Sequence, residues 1–465
     1  MSKEKTAPKF ALGEEGLFDA TKLGTPKMIV LGLQHMFAMF GATVLVPILT
    51  GLSVSATLLF AGLGTLLFHL LTGRKVPAFL GSSFAFLGGY AAITTWEGSL
   101  HAEMLPYACL GVACAGLLYV VLSALIRAFG ASKVMRFFPP IVTGPIIIAI
   151  GLTLASSAIN NCSQNWWIAL LAIVVVIACN IWGKGMIKIV PILLGVLVSY
   201  VVAAIFGQVD FSGVRDAAWI GLPFKWGDTV FSLFGGESAV AFAGNTVSKG
   251  SMIFTAIVTI VPIALATMVE HIGDICAISS TTGRNYIEEP GLHRTLLGDG
   301  LATTLASLFG APANTTYGEN TGVLALTKVY DPRVIRIAAY FAILFSFCPK
   351  FAALISAMPA ATIGGVSLIL YGMISAVGVR NIVENKVDFT RSRNVIICAL
   401  ILGLALGINF SAAGAISFPI GSVTISLTGL AVAALVGIIL NAVLPGNDYK
   451  FDTKDTDPKY QTYKV

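Results

Sequence analysis

The sequence predicts an all-α polytopic membrane protein, and three observations lead to this fold class. Hydrophobic residues make up 56% of the 465 residues, well above the share that is usual in soluble domains. Basic residues are concentrated in the tails and in alternate connections. Apolar runs of membrane-spanning length also recur from end to end, at 105–126, 166–182, 189–206, 251–269, 334–348, 394–409 and 426–444. A large soluble protein with buried helices does not account for this pattern.

The first element is the polar segment 1–26, which we predict to be a cytoplasmic tail because it lacks the apolar core of a signal peptide. Of the 29 Lys and Arg residues, all but four lie in the two tails or in alternate connections, and the four are Arg215, Lys225, Lys249 and Lys350. This distribution predicts an even number of crossings with both termini in the cytoplasm, in the cell membrane. The net charge of +6 is accounted for by basic residues in the predicted cytoplasmic tails and connections. No nucleic-acid partner is therefore expected.

The rest of the chain divides into two weakly similar halves, 27–206 and 251–445, joined by a polar extracellular or periplasmic connection at 207–250 and followed by a cytoplasmic tail at 446–465. Three pairs of similar segments, one member in each half and separated by similar numbers of residues, indicate an internal duplication. They pair Gln34-His35 with Glu270-His271, the segment 81–86 with 314–319, and Pro139 and Gly144 with Pro359 and Gly364. An odd number of crossings per half would make the copies inverted, as in many secondary transporters, whose substrate site lies between the repeats.

The matched segments 76–95 and 312–328 are short and interrupted by Gly and Pro. We expect each to be extended and then to begin a half-helix at Ser82-Ser83 or Thr315-Thr316, because hydroxyl residues are good N-caps. Half-helix N-termini at membrane depth would point backbone N–H groups at a ligand. Two re-entrant structural loops without a ligand are the alternative.

Four acidic residues lie inside otherwise apolar segments: Glu270, Asp274, Asp299 and Glu319. Acidic residues at membrane depth are costly and indicate a functional site. Because no Lys or Arg lies nearby in the same spans, some must be protonated, or neutralised by a cation or a donor-rich ligand. Such coupling between ion and substrate occupancy is the basis of symport. Carboxylates and backbone N–H groups together complement a planar molecule with N–H and C=O edges, such as a nucleobase.

Not every residue in this set must contact a ligand. Asp274 and Asp299 could have structural roles, the latter by bonding backbone or hydroxyl groups. His35 could serve only in a hydrogen bond between helices.

At these residues the chain resembles the nucleobase–ascorbate transporter family, and within it the bacterial uracil permeases. The matching stretches cover about residues 25 to 445, namely Gln34 to Pro47, Val76 to Phe86, Glu270 to Asp274, Pro290 to Arg294, Asn314 to Asn320 and Gly364 to Gly372. The resemblance implies about fourteen transmembrane segments in two inverted seven-segment repeats, with two short antiparallel strands at the substrate site. It also implies a core domain (27–128 plus 251–356), a gate domain (133–206 plus 358–445) and a homodimer formed through the gate domain.

The resemblance further implies import of a nucleobase by proton or sodium symport through an elevator-like mechanism, with no cofactor besides the coupling ion. Glu270 and Glu319 would bond the N–H groups of the base, and the backbones of Phe84 and Gly318 would meet its carbonyls. Packing around the base would come from Ala42, Tyr317 and Tyr371, and the coupling set would be Asp274, Glu319, His35 and Asp299.

Two features separate uracil from xanthine as the expected substrate. Asp274, Asp299 and the pair Thr321-Gly322 look xanthine-like, because uracil permeases usually carry His at the first of these positions. Glu319 and the stretch from Asn314 to Asn320 are uracil-like, because xanthine relatives place Gln at that carboxylate. We predict uracil, with xanthine or another purine base as the alternative.

Three other classes of function were weighed. An anion transporter of the same fold would need a basic residue at the half-helix N-termini. A membrane enzyme would need a nucleophile–base set or a metal cluster, and neither the five His nor the seven Cys residues have that spacing. A passive channel would not need acidic residues inside an occluded site.

Overall fold

The computed structural model describes residues 16–235, 238–420, 423–447 and 449, and these are mostly helical. The α-helices are α1 (Thr25–Thr50), α2 (Val54–Leu71), α3 (Leu87–Thr94), α4 (Leu105–Phe129), α5 (Ala131–Met135), α6 (Pro140–Cys162), α7 (Trp166–Ile181), α8 (Met186–Ile189), α9 (Pro191–Ile205), α10 (Ser212–Asp216), α11 (Lys249–Ile260), α12 (Ala264–Thr282), α13 (Leu292–Leu308), α14 (Gly318–Thr327), α15 (Pro332–Ser346), α16 (Pro349–Ser356), α17 (Ala360–Glu384), α18 (Ser392–Asn409) and α19 (Gly429–Val443). The strands are β1 (Leu80–Ser82), β2 (Thr95–Trp96), β3 (Ser99–Leu100), β4 (Ala239–Phe242), β5 (Asn245–Ser248), β6 (Asn314–Thr316), β7 (Ala415–Ile420) and β8 (Val423–Thr428).

Seven helical units within the described residues are long and apolar enough to cross a membrane, and an eighth is added if α15 and α16 count as one span. These two helices are bent by 89° at the break between them. Helices α11 and α12 join through a single 3-10 turn, Val261–Ile263, into one unit of 34 residues. Each predicted apolar run contains a helix, and the prediction of a helical protein with several membrane spans is confirmed.

The two short strands β1 and β6 pair in an antiparallel manner, with Gly81 opposite Thr315. All six of their residues are buried. Hydroxyl groups hold both strands. Thr65 on α2 receives a hydrogen bond from the Leu80 backbone N–H at 2.9 Å, and Thr303 on α13 donates to the Asn314 carbonyl at 2.7 Å. Strand backbone at membrane depth is tolerated here because protein groups satisfy its polar atoms.

The predicted starting points of the half-helices are wrong. Helix α3 begins at Leu87 after Phe86, and α14 begins at Gly318 after Tyr317, so neither helix starts at a Ser or Thr N-cap. The hydroxyl residues Ser82 and Thr315 instead lie in the strand pair. Two strands that meet in the centre of the protein can satisfy each other's backbone groups, and this pairing takes precedence over local capping preference.

Three further two-stranded sheets, β2–β3, β4–β5 and β7–β8, occur within the described residues. The sequence was expected to be helical apart from the central strands, and these hairpins were not predicted. Residues 426–428, assigned to the last apolar run, belong to β8, and the helix begins only at Gly429. The alternation of apolar and polar residues in this stretch suits a strand.

Helices α6 and α17 pack closely through matched glycines. Each helix follows a matched proline, Pro139 or Pro359. A Cβ added at Gly144 would meet the Gly378 carbonyl at 3.1 Å, and one added at Gly364 would meet the Ala158 carbonyl at 2.8 Å. The start of each helix therefore packs against the later part of the other.

Most of the predicted tails, 1–26 and 446–465, lies outside the described residues. The described portion that precedes α1 packs against the protein. The backbone N–H of Leu17 donates to the Lys328 carbonyl, and that of Tyr330 donates to the Leu17 carbonyl, both at 2.8 Å. This segment is therefore joined to the connection between α14 and α15.

Candidate functional site

Two of the predicted carboxylates meet where α12 passes the start of α14. Glu270 lies on α12, and Glu319 lies in the first turn of α14, directly after strand β6. Both are partly buried, and the negative charges of Asp299 and Glu319 both act on Glu270. The Oε2 atom of Glu270 is buried and has no hydrogen-bond partner among the described residues. A buried carboxylate oxygen without a donor needs a proton or a ligand, because leaving it unsatisfied is costly.

The backbone next to Glu319 is open. Gly318, at the start of α14, is exposed. A Cβ added at Gly318 would find no atom within 4 Å. A small planar molecule could therefore approach the backbone of Gly318 closely, next to Glu319.

Asp274 and Asp299 are connected through two intervening side chains. The Thr316 hydroxyl on β6 donates to Asp274 Oδ2 at 2.8 Å and lies 3.5 Å from His271 Nδ1. His271 Nδ1 in turn lies 3.0 Å from Asp299 Oδ2, with both side chains fully buried. Polar contacts thus run from α12 through the strand pair to α13. Two of the three carboxylates predicted to act in coupling, Asp274 and Asp299, therefore belong to one connected group.

His35, the remaining residue of the predicted coupling set, is fully buried on α1. Asn320 on α14 places its amide nitrogen 3.1 Å from His35 Nδ1 and also donates to the His35 carbonyl at 3.1 Å. This geometry matches the alternative that His35 bonds between helices. Its part in coupling stays a prediction.

The aromatic residues of the predicted site divide into two groups. Phe84 and Tyr371 contact each other edge to face, with ring centroids 5.6 Å apart, so that α17 meets the segment between β1 and α3. The Tyr317 ring instead packs over β1, where its hydroxyl donates to the Ser82 carbonyl at 2.8 Å. Ala42 on α1 is fully buried. Tyr317 is therefore held by the strand pair, and any contact with substrate would come from the face of its ring.

Three polar residues of this region were not predicted from the sequence. His271, Thr316 and Asn320 each link a predicted site residue to another element. Adjacent residues on a helix do not share a face, so the sequence indicates that His271 points elsewhere than Glu270, and the structure places it against Asp299 on α13. The sequence contains Asp299 as a further buried acid but does not indicate that it lies close to His271.

The site carries no fixed positive charge among the described residues. No Lys or Arg within this part of the chain forms an ion pair with Glu270, Asp274, Asp299 or Glu319. The described residues also contain no group of three or more His, Cys, Asp or Glu side chains that could hold a metal ion. The arrangement suits a neutral molecule rich in N–H donors, together with a proton or a monovalent cation.

Replacing Gly81 with alanine is expected to destabilise the strand pair. The added Cβ would lie 2.5 Å from the Tyr317 ring and 2.7 Å from the Thr43 hydroxyl, and overpacking of this kind costs about 1–3 kcal/mol. We expect a lower melting temperature for the purified variant. Gly88→Ala is the matched control because a Cβ there meets nothing within 4 Å; equal melting temperatures for the two variants would contradict this packing argument.

Comparison with known proteins identifies the family to which the chain belongs. The pattern of the Permease family matches residues 26–414. The chain is 41% identical to the uracil permease of Bacillus caldolyticus over 90% of this chain and 92% of that protein. It is 39% identical to the uracil permease of Bacillus subtilis, over 90% and 92% of the two chains. The chain belongs to the nucleobase–ascorbate transporter family of permeases.

Membership of this family makes the protein a multi-pass membrane transporter and not an enzyme. Among solved structures, the transmembrane domain of a cyanobacterium bicarbonate transporter, BicA, superposes with a TM-score of 0.60 at 15% identity, over 86% of this chain and 99% of that one. A murine anion transporter of the Solute Carrier 26 family superposes at 0.57, with 12% identity over 94% and 76% of the two chains. These two structures share the fold alone.

Proposed function

We propose that this transporter imports a nucleobase, most specifically uracil, together with a cation. The observation that carries the proposal is the buried, unpartnered oxygen of Glu270 beside Glu319 and the open backbone of Gly318. This set offers two acceptors for N–H groups and one backbone donor for a carbonyl, which is the hydrogen-bonding pattern along one edge of uracil. Relatives named uracil permeases, about 40% identical over most of the chain, support the same substrate.

Within this proposal Glu270 and Glu319 bond the N–H groups of the base, and the backbones of Phe84 and Gly318 meet its carbonyls. Tyr371 and Ala42 pack at the sides of the bound base, and the Tyr317 ring packs beneath it. The coupling charge is shared by Glu319 and the connected group of Asp274, Thr316, His271 and Asp299, and His35 supports this group through Asn320. The coupling ion is a proton, with sodium as the alternative.

We propose fourteen transmembrane segments in two inverted repeats with both termini in the cytoplasm. The order of elements supports this division, because each half can be read as seven segments whose third is a short strand followed by a short helix. The first half would consist of α1, α2, β1 with α3, α4, α6, α7 and α9. The second would consist of α11 with α12, α13, β6 with α14, α15, α17, α18 and α19. The antiparallel pairing of β1 with β6 and the reciprocal packing of α6 with α17 agree with an inverted relation.

Alternating access would follow an elevator-like movement of the core domain (27–128 plus 251–356) against the gate domain (133–206 plus 358–445). The contact between Phe84 and Tyr371 supports a site at the boundary, since the first belongs to the core and the second to the gate. A homodimer through the gate domain is part of the same proposal.

The test is uptake of labelled uracil and labelled xanthine into proteoliposomes. Uracil should accumulate when the lumen is alkaline relative to the outside, and accumulation should disappear when a protonophore removes the gradient. A sodium gradient applied without a pH gradient separates the two ions. Accumulation of xanthine without uracil would reject uracil as the substrate and favour the purine alternative.

Glu319→Gln is expected to flatten the pH dependence of uracil binding while retaining some affinity. Because proton and substrate occupancy favour each other in a symporter, binding by the native protein should weaken as pH rises. Glutamine resembles the protonated carboxyl and cannot titrate, so this dependence should be lost. Calorimetry across a pH series measures it, with Glu288→Gln in the exposed connection before α13 as the control. A native pH profile in Glu319→Gln would exclude Glu319 as the coupling group.

A further inference from the structure

A second polar cavity lies away from the carboxylate site, where the connection after α2, the end of α12 and the start of α15 come together. It has a volume of about 280 Å³. Five basic side chains line it: Arg74, Lys75, Arg284, Arg333 and Arg336. We call this the basic pocket. Nothing in the transport proposal uses it.

The carboxylates around the basic pocket do not neutralise its positive charge. Glu289 accepts a hydrogen bond from Lys75, which holds the pKa of that carboxyl below its usual value. A hydrogen bond from Thr21, aided by Arg333, lowers the pKa of Asp19 in the same way. Both are therefore ionised at neutral pH. With Asp331 they provide three negative charges against five positive ones.

The unbalanced charge belongs to Arg74, Arg284 and Arg336, because within the described residues none of these three forms an ion pair. Arg284 lies over the Phe18 ring, which leaves Arg74 and Arg336 as the two pocket arginines with neither an ion pair nor a ring contact among the described residues. Arg336 Nη1 is buried and has no hydrogen-bond partner there. Arg74 and Arg333 repel the Arg336 guanidinium, and Asp331 attracts it. A buried guanidinium N–H without an acceptor is costly, and its cost is relieved when an anion enters.

The walls of the pocket are fixed by contacts that do not involve these two arginines. The segment before α1 is bound across the pocket, because the Ala20 backbone N–H donates to Asp331 Oδ2 at 2.8 Å. Phe18 packs against Tyr330 at 5.3 Å between ring centroids, and the Arg284 guanidinium lies 3.6 Å from the centre of the Phe18 ring. The pocket is thus preorganised, which lowers the entropic cost of binding a ligand.

We propose that the basic pocket binds a phosphate group. Guanidinium groups match phosphate oxygens with paired N–H donors, and several of them converging favour phosphate over a single carboxylate. All five basic residues lie in or beside connections at one end of α2, α12 and α15, the level at which lipid headgroups lie. The phosphate could therefore come from an anionic phospholipid or from a soluble phosphate, and the two sources share the same recognition chemistry.

The test uses the full-length purified protein and two kinds of ligand. In the first arm, inorganic phosphate is titrated by calorimetry in detergent at constant ionic strength. In the second arm, the protein is placed in nanodiscs of phosphatidylglycerol or of phosphatidylcholine, and native mass spectrometry measures the lipid retained. Saturable binding in the first arm identifies a soluble phosphate, and selective retention of phosphatidylglycerol in the second identifies a lipid headgroup.

Arg336→Gln and Arg74→Gln should each weaken the observed binding by about tenfold or more, because a charge-assisted hydrogen bond is lost. Arg74 lies in the exposed turn after α2, so its variant keeps the test valid if Arg336→Gln does not fold. The matched control is Arg127→Gln, which removes an exposed charge at the end of α4, outside the pocket. Absence of binding in both arms would overturn the proposal, as would an equal loss in the Arg127→Gln variant.

Discussion

Replacing Glu270 with glutamine is expected to weaken uracil binding by about 10- to 100-fold or more. The substitution exchanges one acceptor oxygen for an NH2 donor and removes the charge, and a hydrogen bond to a charged group is worth about 1.5–3 kcal/mol. The effect should be large because Glu270 Oε2 is buried and has no partner among the described residues. In the variant, an NH2 group would face an N–H of the base.

Calorimetry on the purified Glu270→Gln protein measures this loss directly. Its melting curve must show a folded protein, and Glu97→Gln, at an exposed position in the turn between β2 and β3, is the matched control. Near-native uracil affinity in the folded variant would remove Glu270 from the binding site. An unchanged affinity in Glu97→Gln would show that the effect is not one of net charge.

The second large effect concerns Asp274. Asp274→Asn should leave uracil binding within about tenfold, because no direct contact with the base is lost. Gradient-driven accumulation should nevertheless collapse, because the coupling ion loses a negative partner. The asparagine oxygen can still accept the hydrogen bond that Thr316 donates to Asp274 at 2.8 Å. The local structure is therefore kept while the charge is removed.

Binding and accumulation are both measured on one preparation of the Asp274→Asn protein. Thr316→Val separates the effect of the charge from that of the hydrogen bond, because it removes the hydroxyl donor and keeps the Asp274 carboxylate. We expect this variant to retain accumulation of uracil. Intact accumulation in Asp274→Asn would make Asp274 structural. Abolished uracil binding with a gain of xanthine binding would make it a specificity residue and would weaken the assignment of uracil.

Part of the site could be predicted because acidic residues inside apolar segments are visible in a sequence. Glu270 and Asp274 are one helical turn apart, and this spacing alone places them on one face of α12. The relation between the segments around Gly81 and Thr315 was likewise visible as a duplication, and the structure pairs these two residues across β1 and β6. The antiparallel strands themselves were implied only by the family resemblance.

Other features depend on partners far apart in the chain. The hydroxyl residues at 82 and 315 have the composition of N-caps, yet they lie in strands because a second strand is available to pair with them. His271 points away from Glu270, as its adjacent position on the helix indicates, but only the packing of α13 brings Asp299 within 3.0 Å of it. The end of strand β8 lies at the start of the last apolar run. Hydropathy alone did not show where the strand ends and the helix begins.

The sequence by itself determined the class of the protein: a helical, multi-pass membrane transporter with acidic residues at membrane depth. Hydropathy and charge can be read from each segment of the sequence by itself. They predict membrane spans directly because uncompensated polar groups are costly in lipid. Only the tertiary structure decided which carboxylates are connected, through Thr316 and His271, and that five basic residues surround one cavity. Those contacts join residues tens of positions apart in the carboxylate group and more than two hundred apart across the cavity. Their distances are set by helix packing, which no local pattern encodes.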